Sequence, residues 1–230
     1  MPEEPPPPVA RTGARLLEVR LLGEVPYQET LRLQEELVAA RRGGEISDQL
    51  LLLEHPHVIT LGTSFREEHL LLSPGEREAR GIQLFRAGRG GDVTYHGPGQ
   101  LVGYPILDLK PDRKDLHRYL RDLEEVLIRT LKRFGLSGYR EEGMTGVWLP
   151  QGKVAAIGVR VSSGWITSHG FALNVDPCLE YFSSIIPCGI REKPVTSVAE
   201  ALGRPPEMGV VRQEVIRQFQ DVFQRRAIVA

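Results

Sequence analysis

Cys188 stands in Ile185-Ile186-Pro187-Cys188-Gly189-Ile190, between a proline that fixes φ and a glycine that permits a tight bend. Such a turn can hold a sulfur at the rim of a pocket. At its unperturbed pKa of about 8.5 a thiol is only a few per cent thiolate near neutrality, so a nucleophilic cysteine needs a base or a cation beside it. His96, His169 and Lys153 are the candidates. Spacing does not choose among them, because each is remote from Cys188 in the chain. A cysteine acting as a small buried hydrophobe is the competing reading, and it is the preferred one for Cys178 in Asp176-Pro177-Cys178-Leu179-Glu180.

A ligand for such a thiol has to be bound somewhere, and the nineteen-residue run Arg89 to Leu107 is the most suggestive stretch, joining the glycine-dense turn Arg89-Gly90-Gly91-Asp92-Val93-Thr94-Tyr95-His96-Gly97-Pro98-Gly99 to an apolar strand. Its glycines remove side chains where the backbone must bend or approach a ligand. A plain turn between strands explains the cluster equally well. Arg89 reads as readily as an ion-pair residue, and His96 as a satisfied core histidine. The small residues Gly90, Gly91, Ala155, Ala156, Gly158, Gly170 and Ala172 leave room for a slender ligand, or allow close strand packing. Burying about seven methylene or methyl groups of such a ligand would contribute about 5 to 6 kcal/mol, enough to hold it. Lys153 opens the small, apolar run Val154-Ala155-Ala156-Ile157-Gly158. A lysine there is ordinarily solvated; desolvated beside a thiol, its own pKa would fall and it could shuttle a proton.

The elements that must position these residues follow from periodicity. Leu16 to Leu22 reads as a strand, and Tyr27 to Arg41 as an amphipathic helix entered at Pro26 and ended at Gly43-Gly44. Leu50 to Glu54 and Val58 to Leu61, around His55-Pro56-His57, read as strands paired with each other. Gln83 to Arg86, Asp92 to His96 and Leu101 to Leu107 continue the sheet. From Leu116, the apolar positions Tyr119, Leu120, Leu123, Val126, Leu127, Leu131 and Phe134 keep helical spacing up to Gly135. Val147 to Leu149, Val154 to Ser162 and Trp165 to Val175 alternate as strands, with Ser163-Gly164 as a hairpin turn. Ser197 begins a short helix, and Val211, Val215, Phe219 and Val222/Phe223 mark a closing one. Strands outnumber helices without strict β-α alternation. The expected fold is therefore α/β of the α+β type, a mixed central sheet flanked by helices rather than a doubly wound one.

Composition narrows the function classes. With 29 basic and 30 acidic residues the chain carries no nucleic-acid or membrane-surface footprint. Two cysteines do not make a disulfide scaffold, and His169, nine residues before Cys178, fits no zinc spacing, so no metal is expected. No stretch approaches the ~20 apolar residues of a membrane span. Residues 1–12, with Pro5 to Pro8, read as a disordered proline-rich tail without signal-peptide character, and 13–230 as a single catalytic domain.

The glycine-rich run, the Lys153 strand and the Pro187-Cys188-Gly189-Ile190 turn occur in that order in the octanoyltransferases of lipoic acid synthesis, called lipoate-protein ligase B. The chain closely resembles that family from about residue 15 to residue 225. Only the tail and surface arginines such as Arg225 and Arg226 depart from its pattern. The resemblance implies the fold of biotin protein ligase and lipoate ligase catalytic domains. It chooses Lys153 as the partner that lowers the Cys188 pKa, giving a Cys/Lys dyad. It also implies acyl-substrate contacts from Arg89, Gly90, Gly91, Asp92, Val93, Thr94, Tyr95 and His96, from Ala156, Ile157 and Gly158, and from Gly170, Phe171 and Ala172.

The implied reaction moves octanoyl from octanoyl-acyl carrier protein onto Cys188 and then onto a lysine of a lipoyl domain, in 2-oxoacid dehydrogenases or glycine cleavage H protein. No cofactor is expected, since the thioester donor is already activated. The protein is expected to be a cytoplasmic monomer; Arg191 and Lys193, next to the reactive turn, either meet an acidic carrier protein or are solvated surface residues. Three rivals predict different donors: an ATP-dependent lipoate-protein ligase using free octanoate, an amidotransferase between lipoyl-bearing proteins, and a non-catalytic acyl-binding module that consumes none.

Overall fold

The computed structural model describes residues 14–186 and 194–230. Cys188, Arg191 and Lys193 lie outside the described residues, as does the proline-rich tail. Ten strands and five α-helices run β1 (Arg15–Glu24), α1 (Tyr27–Gly43), β2 (Asp48–Glu54), β3 (Val58–Leu61), α2 (Pro74–Ala79), β4 (Gln83–Arg86), β5 (Val93–His96), β6 (Gln100–Ile106), α3 (Leu116–Arg133), β7 (Val147–Leu149), β8 (Gly152–Val161), β9 (Thr167–Asn174), α4 (Val198–Leu202), α5 (Met208–Phe223) and β10 (Arg225–Val229) among the described residues.

Seven strands form a mixed sheet in the order β10-β1-β2-β6-β9-β8-β7, and β4-β3-β5 form a smaller one. In β2 the apolar run Leu50 to Leu53 has no polar face because the strand is central. Leu50 and Leu52 join the core under α3 and α5, while Leu51 and Leu53 join the core under α1. The expectation of a mixed sheet flanked by helices is thus met.

The expected pairing of Leu50 to Glu54 with Val58 to Leu61 is not. β2 pairs with β1 and β6, whereas β3 pairs with β4 and β5. The chain changes sheets at His55-Pro56-His57, where Pro56 has no N–H to offer a ladder. His55 is held at the crossing: Nδ1–H donates to the Val25 carbonyl at 2.6 Å, so Nε2 accepts from the Tyr104 hydroxyl at 2.8 Å.

Two further expectations are corrected. Arg225 is not a surface residue but 5% exposed, its Nε donating to Asp48 Oδ2 at 2.9 Å. Asp48 itself is buried and also accepts from Arg41 Nε at 2.8 Å and from the Asp108 N–H at 3.0 Å, so one carboxylate ties β2 to α1, β10 and the end of β6. Cys178 is not a buried hydrophobe either: it is exposed, with a free thiol. Arg226 is exposed as expected.

Candidate active site

The glycine run is gripped from two sides. Gly62 N–H donates to Asp92 O at 2.8 Å, Thr63 N–H to Arg89 O at 3.0 Å and Ser64 N–H to Gly91 O at 3.0 Å, while Gly90 N–H donates to Val159 O at 2.9 Å on β8. Such an approach needs glycine opposite it: a Cβ on Gly62 would stand 2.2 Å from Gly91 O. The Arg89 guanidinium is buried and works as a backbone clamp, with Nη2 donating to Thr60 O at 2.7 Å and to Thr60 Oγ1 at 2.9 Å.

This loop, β8 and β9 enclose a cleft of about 550 Å³ counting its open mouth. Its walls bring together Arg89, Gly90, Gly91, Asp92, Val93, Thr94 and His96 from the glycine run, Lys153, Ala156, Ile157 and Gly158 from β8, and Gly170, Phe171 and Ala172 from β9. Tyr95 is the one described residue expected at the site that does not line the cleft. It is fully buried, its hydroxyl 2.7 Å from His57 Nδ1 and its ring stacked 5.3 Å from that of Tyr181. Strand alternation sends it into the core of the small sheet, while Thr94 and His96 face the cleft.

Small residues set the cleft's width. A Cβ at Gly170 would stand 2.1 Å from Gly103 O and 2.6 Å from Pro105 Cδ. Gly170→Ala is therefore expected to cost about 1 to 3 kcal/mol through overpacking. Thermal unfolding checks this, and an unchanged Tm would mean β6 and β9 can separate freely.

Lys153 is half-buried, with Nζ 4.7 Å from the centroid of the Trp148 ring, a cation–π contact. Its backbone is bonded on both sides to the segment that follows residue 193: Lys153 N–H donates to Pro194 O at 2.9 Å, and Thr196 N–H donates to Lys153 O at 3.1 Å. Before residue 187, Ile186 N–H donates to His69 O at 2.9 Å and Leu71 N–H to Ser184 O at 3.0 Å. His69 Nδ1 in turn meets Asp92 Oδ2, a residue of the cleft wall.

Burial keeps His55, His96 and His169 neutral. Burial lowers His96 to about 3, with His55 and Arg89 adding repulsion, and lowers His55 and His169 to about 4, Arg89 and Arg160 adding to the effect at His169. Gln100 fixes the His96 tautomer: its Nε2 donates to Asn174 Oδ1 at 2.9 Å, so its Oε1 accepts from His96 Nδ1–H at 2.6 Å and His96 Nε2 is left unprotonated. These groups make stability fall with acid. The unfolded chain takes up protons near pH 6.5, but the folded protein resists until about pH 4 or below. Stability is therefore full above pH 6.5 and declines as pH drops through that window, by on the order of 2 kcal/mol per histidine at pH 5. Denaturant unfolding at pH 7.5, 6.5 and 5 measures it; a flat profile would contradict neutral burial.

A family model described as the lipoyl protein ligase A/B catalytic domain matches residues 26–220. An octanoyltransferase of Rubrobacter xylanophilus is 54% identical over 206 residues, 89% of this chain and 92% of the relative. Another, from Chloroflexus aggregans, is 46% identical over 218 residues, covering 94% and 99%. This chain belongs to the octanoyltransferase family. Solved structures show the family's fold more widely. A bi-partite lipoate protein ligase from Thermoplasma acidophilum aligns with a TM-score of 0.71 at 21% identity, over 94% of this chain and 87% of that one. Biotin protein ligase from Aquifex aeolicus aligns at 0.52 and 15%, over 90% and 69%. At these identities the likeness is one of fold.

Three cleft residues carry no role in the expectations from the sequence: Tyr27, Thr60 and Tyr104, the last of which lies within the run Arg89 to Leu107. Tyr27 opens α1 and Tyr104 lies in an apolar strand, so in sequence both look like core aromatics. Burial holds the Tyr27 hydroxyl up at about 12, and that of Tyr104 well above the usual tyrosine value, so both stay protonated; Tyr27 is a potential donor toward the cleft, while the Tyr104 hydroxyl already donates to His55 Nε2. Among the described residues no helix is long and apolar enough to cross a membrane.

Proposed function

We propose that this protein is an octanoyltransferase that carries the acyl group on Cys188 with Lys153 as its proton-handling partner. The observation that carries the reading is the double role of Lys153. Its side chain lines the cleft, while its backbone is bonded to Pro194 and Thr196, which follow in sequence the stretch 187–193 that contains Cys188. Ile186, two positions before Cys188 in the sequence, is anchored beside the His69–Asp92 pair at the cleft wall. Both tethers favour a sulfur near the cleft mouth.

In the first step the Cys188 thiolate attacks the carbonyl carbon of an octanoyl thioester on acyl carrier protein. A new C–S bond forms, the donor's C–S bond breaks, and the carrier thiolate leaves and takes its proton from the Lys153 ammonium, which is left neutral. In the second step the amine of a lipoyl-domain lysine attacks the acyl-Cys188 carbonyl carbon, the C–N bond forms, Cys188 leaves as thiolate, and Lys153 relays the proton lost by the amine. The acyl chain lies along Ala156 to Gly158 and Gly170 to Ala172, opposite Arg89 to His96. Backbone N–H groups are expected to steady the oxyanion in each step. No nucleotide is consumed, because exchange between thioesters is nearly neutral and thioester to amide is downhill.

One assay separates the rivals. Octanoyl-carrier protein, free octanoate with ATP, and an octanoylated lipoyl protein are offered as alternative donors to an unmodified lipoyl domain. Transfer from the carrier thioester without ATP is expected. Modification only with octanoate and ATP would mark a ligase, only from the lipoyl protein an amidotransferase, and with no donor a binding module.

A further inference from the structure

A second groove, of about 940 Å³ counting its open mouth, runs between α1 and the β8–β9 hairpin. It lies further along the strands that form the cleft, and His169 lines both cavities. Exposed arginines enter it from separate elements: Arg42 from the last turn of α1, Arg86 from the end of β4 and Arg160 from β8. Arg42 Nη2 donates to Ser162 Oγ at 3.1 Å, and Arg160 lies over Gly88, where an added Cβ would stand 2.7 Å from its Nη1. No ion pair engages any of the three among the described residues. Glu35 is the one carboxylate among the described lining residues.

The wall supplies an independent sign of a ligand. Gln34 is 1% exposed, and its Oε1 accepts from the His169 N–H at 2.7 Å, which fixes which way the amide points. Its Nε2 is therefore a buried donor, and it has no hydrogen-bond partner. A buried amide left unpaired is costly, so the groove lacks an acceptor at this point. Three cations against one carboxylate call for an anion. Three guanidinium forks, an amide and the hydroxyl of Ser168 call for one with several acceptor oxygens.

We propose that this groove is a binding site for a phosphate group, gripped by Arg42, Arg86 and Arg160 and met by Gln34 Nε2. It is a site additional to the acyl cleft and independent of the transfer reaction. The phosphate is either free inorganic phosphate or the monoester of a small molecule.

Calorimetric titration of the full chain, in buffer free of phosphate and sulfate, with inorganic phosphate and separately with glycerol 3-phosphate, tests this. One saturable site per chain of submillimolar Kd is expected. It should weaken by at least about tenfold in the double variant Arg86→Gln, Arg160→Gln, whose Tm is expected to be unchanged because both side chains are exposed. Tighter binding of the monoester identifies an esterified ligand, and tighter or equal binding of inorganic phosphate the free ion. On the wild type the ring signals of His169 should shift with the same saturation, because Arg160 acts electrostatically on that imidazole. Failure of both ligands to saturate below about 10 mM, or equal affinity in the double variant, overturns the proposal.

Discussion

Replacing Cys188 by serine is expected to lower octanoyl transfer by on the order of 10⁴-fold or more, while Cys178→Ser leaves it unchanged. A serine hydroxyl at the same place is almost wholly protonated near neutrality, and a lysine is too weak a base to draw its proton off before attack. The sulfur is thus asked to supply both nucleophilicity and a good leaving group. Cys178 is the internal control: its thiol is free and exposed, and it lies outside the cleft lining. Equal losses in the two variants, or none in either, would mean that thiol chemistry is not the route.

Lys153→Ala carries the second large effect. Removing a positioned proton-transfer group costs about 10² to 10⁴-fold, and the loss should be greatest at pH 7. Without the ammonium nearby the thiol returns toward its ordinary pKa of about 8.5, so the variant should regain part of its rate between pH 7 and pH 9 as thiolate forms unaided. A purely structural role for Lys153 would give no such recovery. The substitution keeps the backbone bonds to Pro194 and Thr196 and removes the cation–π pairing with Trp148, so the variant is expected to stay folded with Tm lowered by no more than a few degrees. Initial rates of the wild type and the variant at pH 7, 8 and 9 decide the matter.

What could be read from the sequence depended on how far each signal was local. α3 was legible because Tyr119, Leu123, Val126, Leu127 and Leu131 recur at helical spacing and are all buried against one core. β10 was not: α5 stops at Gln224, which adopts φ 52 where a glycine would have announced the end, and the strand that follows pairs only with the first of the sheet. α2 carried a signal in its Ser73/Glu76 capping box with Pro74, yet it buries no residue, so apolar periodicity could not find it. The partners of β2 and β3 were hidden because an apolar run does not say which sheet will cover it. Arg225 was misread for a related reason: nothing local foretells that Asp48, far away in the chain, will be the carboxylate that buries it.

The candidate site shows the same division. The three segments thought to face the ligand do meet in one cleft, since each is a strand or strand-edge loop of small residues that brings its neighbours along. Tyr95 fell the other way through strand alternation alone. Tyr27, Thr60 and Tyr104 entered from α1, β3 and β6, elements whose approach to the cleft is a matter of tertiary packing. The arginine groove was invisible for the same reason, its cations standing 44 and 74 positions apart along the chain.

Intact-mass spectrometry of the protein mixed with octanoyl-acyl carrier protein, with no acceptor present, tests the central claim most directly. The wild type is expected to gain the mass of one octanoyl group, to lose it again when an unmodified lipoyl domain is added, and to show no gain as Cys188→Ser. A wild type that stays unmodified while it transfers octanoyl, or a Cys188→Ser variant labelled to the same extent, would contradict the account.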